Sequence, residues 1–269
     1  MRTPSSTGTV LDRILDARRA EVEHRKKVLP LTALKYGVKA ATPLRDFSAA
    51  LSKPGLNVIA ELKPASPSRG VIRDPFEPAE LARSLESSGA SALSVLTEGE
   101  FFRGSLKNLR DARKASTLPA LRKDFIFDPW QVWEARANDA DSFLLIAAAL
   151  NDAQLAELLT LGRELGMEPL VEVHTREELD RVVAAGAKII GVNNRDLKTL
   201  EVRVQTSFDL IDQIPEGSIA ISESGLGSHT DLQNLRASGF DGFLIGDHLM
   251  QSADPAAALS SLLREPGSN

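Results

Sequence analysis

Acidic and basic side chains recur along this sequence just as short apolar runs end. The run at 57–62 carries Ile59-Ala60-Glu61-Leu62 and is followed by Lys63. The two-residue period of an extended strand puts Ile59, Glu61 and Lys63 on one face. The same parity pairs Leu121 with Lys123, Leu170 with Glu172, Gly191 with Asn193 and Arg195, and Ile221 with Glu223. Brought together, these faces assemble the carboxylates Glu61, Glu172 and Glu223 around the ammonium groups Lys63 and Lys123. Opposite charges favour the ionised forms and desolvation favours the neutral ones, a tension that tunes groups for acid and base work. Any one of these residues could be a solvated strand end. A set repeating in register at five strand ends reads as a catalytic mouth.

A second chemistry is suggested further along. Ser222-Glu223-Ser224-Gly225-Leu226-Gly227 and Leu244-Ile245-Gly246-Asp247 each follow an apolar run, and glycine there lets backbone N–H groups approach an anion. Arg195 can add a bidentate contact to the same anion.

The elements that must position these groups follow from the hydrophobic pattern. Apolar runs fall at 57–62, 92–96, 119–121, 142–147, 169–173, 188–192, 218–221 and 242–245. Helix-like stretches lie between most of them, at 78–88, 106–115, 129–138, 152–165, 176–184 and 228–237, with another after the last run at 255–263. Strands that alternate with helices are parallel, and a count of eight closes as a barrel more naturally than as an open sheet. The expected fold is therefore α/β, a single (β/α)8 TIM barrel, in which strand C-terminal ends and the loops after strands seven and eight are the expected places for catalysis and for phosphate. Residues 1–52 are read as an N-terminal helical extension and 53–269 as the barrel, together one domain. Within the extension, the spacing of Leu11, Ile14 and Leu15 predicts a helix over 10–27, ended by Pro30, and a second over about 43–51.

With 269 residues, 42% of them hydrophobic, the chain can bury one large core. It has no cysteine, which removes disulfides, thiolate metal sites and a cysteine nucleophile, and suits a reducing cytoplasm. The start of the chain is a Ser/Thr/Pro/Gly run without the apolar core of a signal peptide, and no stretch approaches the roughly 20 apolar residues of a membrane span. A net charge of −5 argues against a nucleic-acid surface.

Other signals fail. Gly99 to Gly104 begins like a P-loop, but Ser105 stands where lysine is needed. Gly225-Leu226-Gly227 lacks the third glycine of a dinucleotide fingerprint, Thr230 standing there instead. His24, His174, His229 and His248 are scattered, so no zinc site is expected, and His174 is read as a surface or hydrogen-bonded histidine at the edge of the mouth. Neither cofactor nor metal is called for.

The segment Ile59 to Ser68, Ile-Ala-Glu-Leu-Lys-Pro-Ala-Ser-Pro-Ser, resembles the signature of the indole-3-glycerol phosphate synthases, a family of tryptophan biosynthesis. The likeness continues through Ser94-Val95-Leu96-Thr97-Glu98, Phe102-Arg103-Gly104-Ser105, Leu121-Arg122-Lys123-Asp124-Phe125-Ile126, Met167-Glu168-Pro169-Leu170-Val171-Glu172-Val173, Gly191-Val192-Asn193-Asn194-Arg195-Asp196-Leu197, Ser222-Glu223-Ser224-Gly225 and Phe243-Leu244-Ile245-Gly246.

The resemblance implies a cytoplasmic carboxy-lyase without cofactor that takes a small phosphorylated substrate, with association with other tryptophan-pathway enzymes left open. It implies Lys123 as principal general acid and Glu172 as general base, with Glu61, Lys63, Asn193 and Glu223 completing the catalytic set. It implies phosphate binding by Ser66, Arg195, Ser224, Gly225, Gly246 and Asp247, and an anthranilate pocket of Phe102, Phe125, Leu144, Leu197 and Ile245. Asp247 departs from the serine that many members carry there. A carboxylate would repel phosphate, so Asp247 is expected to serve as N-cap of the next short helix with its charge turned away.

Overall fold

The structure, a computed structural model, describes residues 9–264. The Ser/Thr/Pro/Gly run at the start of the sequence lies outside the described residues. Eight parallel strands close into a barrel: β1 (Asn57–Leu62), β2 (Ala92–Leu96), β3 (Ala120–Lys123), β4 (Ser142–Ile146), β5 (Leu170–Val173), β6 (Ile189–Asn193), β7 (Ile219–Glu223) and β8 (Gly242–Ile245). β8 pairs back onto β1 in parallel register, Asn57 opposite Gly242 and Ala60 opposite Ile245. The expected eight-stranded barrel is what the chain forms.

Alternation along each strand makes two apolar layers. Ile59, Ala92, Leu121, Leu144, Leu170, Ile189, Ile221 and Leu244 fill the barrel interior. Their neighbours, among them Val58, Leu93, Leu145, Val171, Ile190 and Phe243, pack outward against the helices. A filled interior leaves no pore, so the next inward position on each strand is the floor of the mouth.

Three helices precede the barrel: α1 (Val10–Val28), α2 (Leu31–Ala40) and α3 (Phe47–Leu51). α1 begins on a capping box between Thr9 and Asp12. α2 was not expected, because Pro30 reads as an interruption. In the structure Pro30 is the N-cap of α2, where its fixed φ of −68° costs nothing. The second helix expected at 43–51 is shorter, since Asp46 caps α3 through the Ala49 N–H. Phe47 and Leu51 of α3 join the interior cluster just before β1 and so plug the end of the barrel opposite the strand C-termini.

The barrel helices are α4 (Pro78–Ser87), α5 (Leu106–Ala115), α6 (Pro129–Ala137), α7 (Asp152–Glu164), α8 (Arg176–Ala184), α9 (Gln205–Leu210), α10 (His229–Ala237), α11 (Asp247–Gln251) and α12 (Pro255–Leu263). α2 packs on α6, burying Leu34 and Val22 of α1 against Trp130, whose indole N–H donates to the Leu29 carbonyl at 2.9 Å. Strands β3, β6 and β7 run one or two residues past the apolar runs, and Lys123, Asn193 and Glu223 are their last residues. Among the described residues no helix is long and apolar enough to cross a membrane.

Candidate active site

The mouth opens into a cavity of about 500 Å³, within the usual range for a small-molecule site. Strand parity places the polar groups as expected. Glu61, Lys123, Glu172 and Glu223 occupy the inward positions directly above the interior apolar layer, Asn193 stands one inward position above Gly191, and all five border the cavity.

The centre of the mouth is Lys123. Its Nζ lies 2.8 Å from Glu223 Oε2 and 3.2 Å from Glu172 Oε2. Burial disfavours the ammonium form, but Glu223, Glu172 and Glu61 outweigh it and hold Lys123 protonated well above the ordinary lysine range. The two carboxylates respond in opposite ways. Burial and the charges of Glu172 and Glu61 push the Glu223 carboxyl up to about 7, against the pull of Lys123. Burial would raise Glu172 as well, but Lys123, His174 and Asn193 outweigh it and keep its carboxyl well below the usual range. With one ammonium shared, the carboxylate holding further partners stays ionised and the other takes a proton more readily.

Glycine makes room for this crowding at two points. A Cβ at Gly191 on β6 would overlap Glu223 Oε1, and a Cβ at Gly246 would overlap Glu61 Oε1. Both carboxylates fill the volume that a side chain would take.

A second ionic cluster lies toward β1 and β8. Lys63 Nζ is 2.7 Å from Glu61 Oε1 and 2.7 Å from Asp247 Oδ1. Asp247 Oδ2 lies 3.1 Å from Arg195 Nη2 and 3.5 Å from Arg69 Nε. The N-cap of α11 is Gly246, and Asp247 is its first residue. This corrects the expectation for Asp247: its carboxylate does not cap the helix or turn away, because three cations hold it over the cavity. Ser66, Ser224, Gly225 and Gly246 border the same region. Ser224 takes a φ of +67°, a left-handed conformation unusual for a residue with a side chain, immediately before Gly225 at +79°.

The apolar wall stands on the other side. Phe102 and Phe125 are tilted by 39° with ring centroids 6.0 Å apart, and Leu144 and Leu197 join them along the cavity. The Glu98 carboxylate, 2% exposed, accepts from the N–H groups of Glu100, Phe101 and Phe102 and so fixes the turn that presents Phe102. Ile245 also borders the cavity, but it packs with the outer layer.

Three contributions escape the sequence reading. Val10, Leu11 and Ile14 of α1 line the cavity, so the first helix forms part of its roof. Helical spacing marks two of them as apolar but cannot say where the helix docks. Arg69 gives no strand-end signal because it follows β1 in a loop. His174 is more than an edge histidine. Its ring is largely buried, with Nε2 3.3 Å from Glu172 Oε1 and Nδ1 3.3 Å from Glu178 Oε2. Burial opposes its charge, yet the two carboxylates push it up to about 10, so it stands as a cation behind Glu172. Among the described residues no group of three or more His, Asp or Glu side chains could hold a metal ion.

The fold by itself is shared widely. A 3-hexulose-6-phosphate synthase superposes with a TM-score of 0.62 at 15% identity, covering 77% of this chain and 98% of its own. A thiamine phosphate pyrophosphorylase from Pyrococcus furiosus gives 0.58 at 17%, covering 79% and 95%. At such identity these likenesses speak only for the barrel. The sequence comparisons are more specific. Residues 11–262 match the family model for indole-3-glycerol phosphate synthase. Indole-3-glycerol phosphate synthase from Mycobacteroides abscessus is 49% identical over 258 residues, 96% of this chain and 95% of that protein. The protein of the same name from Burkholderia vietnamiensis is 44% identical over 259 residues, 94% and 98% of the two chains. With the acid–base mouth, the cationic cluster and the aromatic wall in one cavity, the chain belongs to the indole-3-glycerol phosphate synthase family.

Proposed function

We propose that Lys123 and Glu172 are the acid and base with which this lyase converts 1-(2-carboxyphenylamino)-1-deoxyribulose 5-phosphate to indole-3-glycerol phosphate, CO2 and water. The observation that carries this reading is the Lys123 ammonium, set in the mouth 2.8 Å from Glu223 and 3.2 Å from Glu172. In ring closure the aromatic carbon bearing the carboxylate attacks the ketone, and the carbonyl oxygen takes a proton. Lys123 supplies it, and its charge stabilises the oxyanion as the bond forms. Loss of CO2 restores the aromatic ring.

Dehydration then needs an acid for the departing hydroxyl and a base on the aniline side. Glu172, ionised by its cationic neighbours, is the base. Lys63 is the nearest further ammonium, paired to Glu61 and set toward the phosphate end. Asn193 and Glu223 hold Glu172 and Lys123 in place. Arg195, Ser66, Ser224, Gly225 and Gly246, with the backbone N–H of Asp247, grip the phosphate. Phe102, Phe125, Leu144, Leu197 and Ile245 bound the anthranilate ring. Anchoring both ends brings ring carbon and ketone into reactive geometry, so that remote binding is turned into orientation.

The reading places the enzyme in the cytoplasm, where co-elution would reveal association with other enzymes of the tryptophan pathway. The direct test follows turnover by the fluorescence of the indole product, with Lys123→Ala and Glu172→Gln in parallel. Both variants should bind substrate and lose most of the rate, and a chelator should leave the parent rate unchanged. A parent that binds substrate without forming indole would refute the roles assigned.

A further inference from the structure

The cations that face the phosphate end are already occupied. Asp247 spans Lys63 and Arg195 with its two oxygens, and Arg69 approaches the second of them. An acid is an unexpected residue at a site meant for an anion. A phosphate group drawn to Lys63 and Arg195 has to sit where the Asp247 oxygens now sit, or push against them. We propose that Asp247 is an internal counter-anion, which offsets part of the charge of this cluster in the free enzyme and is displaced when the phosphorylated substrate arrives.

Three features make displacement feasible. Asp247 is the most exposed member of the row Glu61, Lys63 and Asp247, its side chain 24% exposed against 5% for Glu61 and 13% for Lys63. It does not cap α11, since Gly246 does, so its rotation breaks no helix end. Arg69 is about half exposed and can follow the carboxylate outward as a partner. Burial would raise the Asp247 carboxyl, but Lys63, Arg195 and Arg69 outweigh it and keep it ionised, so it offsets one of their three positive charges while Glu61, on Lys63, offsets another.

Such a device sets selectivity. Left open, three cations in a half-buried site would attract any small anion, inorganic phosphate included. With Asp247 in place, an anion must first break an intramolecular pairing. Inorganic phosphate has nothing else to offset that cost, whereas the substrate also brings an aromatic ring to the wall of Phe102 and Phe125. Displacement also leaves Lys63 shared between Glu61 and the phosphate, which ties the occupancy of the anion end to an ammonium next to the catalytic centre.

The proposal rests on the assignment of this cluster to phosphate, and the experiment separates the two. Inorganic phosphate is the probe, measured as a competitive inhibitor of turnover and by the shift it produces in Tm, for the parent and for Asp247→Asn, Asp247→Ser and Asp247→Glu. The Asn and Ser variants should bind phosphate about tenfold more tightly than the parent, with a steeper loss of affinity as salt is raised. The Glu variant should stay near the parent. Phosphate binding that is equal or weaker in the Asn and Ser variants, with the parent still inhibited, would overturn the counter-anion and leave the phosphate assignment standing. Absence of phosphate binding in parent and variants alike would overturn both. The Tm shift reads binding directly, so a variant with impaired catalysis still gives an answer.

Discussion

On strand β3, Arg122 faces the helices and Lys123 faces the barrel axis, and each sits in a buried ionic network of different make-up. The outer network joins Arg122 to Asp124 at 2.8 Å and to Glu134 at 2.9 Å, with Arg18 on Asp124 at 2.7 Å and Arg25 on Glu134 at 2.5 Å. Arg122 also donates to Thr97 Oγ1 and to the Gln131 carbonyl. Arg18 pairs Glu21 in addition, so guanidiniums and carboxylates are matched. The inner network sets one ammonium between two carboxylates, of which Glu172 has His174 as a second cation and Glu223 has Lys123 alone. The outer arrangement is compensated and fixes α1 over the cavity through Arg18, Arg25 and the Lys26–Asp128 pair. In the inner one Glu223 shares its single cation, and its carboxyl takes up a proton more readily than an ordinary carboxylate does. Burial is common to both, and stoichiometry separates scaffold from chemistry.

The largest effect expected is on rate. Lys123→Ala should lower kcat by about a thousandfold, as loss of a general acid does, and should cost less stability than Arg122→Met, because Glu223 takes up a proton readily and Glu172 keeps His174 as a partner. Arg122→Met should do the reverse. It strands Asp124 and Glu134 in the interior and should cost about 3–5 kcal/mol of folding stability, seen in urea unfolding. If the Lys123 variant proves as unstable as the Arg122 variant, the distinction between the two networks fails. A smaller effect is expected at His174, which acts through Glu172. His174→Gln should lower kcat on the order of tenfold with KM little changed, and should shift the acidic limb of the pH–rate profile, which a purely structural role would not do.

The smallest effect sharpens the comparison through pH. A carboxyl whose pKa is raised to about 7 on folding binds its proton more tightly in the folded state than in the unfolded chain. Stability must then fall as pH rises from the ordinary carboxylate range toward 7. Between about pH 5 and about pH 8 the parent should lose a few degrees of Tm that Glu223→Gln retains. Equal losses in both proteins would mean that Glu223 is not the strained member of the pair.

Much of this was legible in the sequence, because a barrel writes its active site in a simple code. Period-two alternation told which side of each strand Glu61, Lys123, Glu172, Asn193 and Glu223 occupy, and apolar runs separated by helical stretches gave the closure. The roof was harder. Leu11 and Ile14 follow helical spacing, but docking of α1 depends on Arg18 reaching Asp124, a contact across 106 residues. Pro30 hid α2 because the same ring that ends one helix also starts another. His174 was visible as a strand-end residue and undervalued, since its importance lies in Glu178, one helical turn on in α8. Asp247 is illegible for a physical reason: its type foretells repulsion of a phosphate, but not the pull of Lys63, Arg195 and Arg69, which come from segments far from it in the chain.

Gly191 and Gly246 constrain how such a site can be rebuilt. Gly191 lies within β6 and Gly246 just after β8, and at each a Cβ would collide with a carboxylate of the mouth. Substitution at either glycine makes the Glu223 or Glu61 carboxylate move from its place in the mouth, and calls for less movement once that acid is shortened. For a designer this coupling is an opportunity: two built-in slots on β6 and after β8, released together with the acids that fill them, in which a new side chain could be seated without disturbing the barrel beneath.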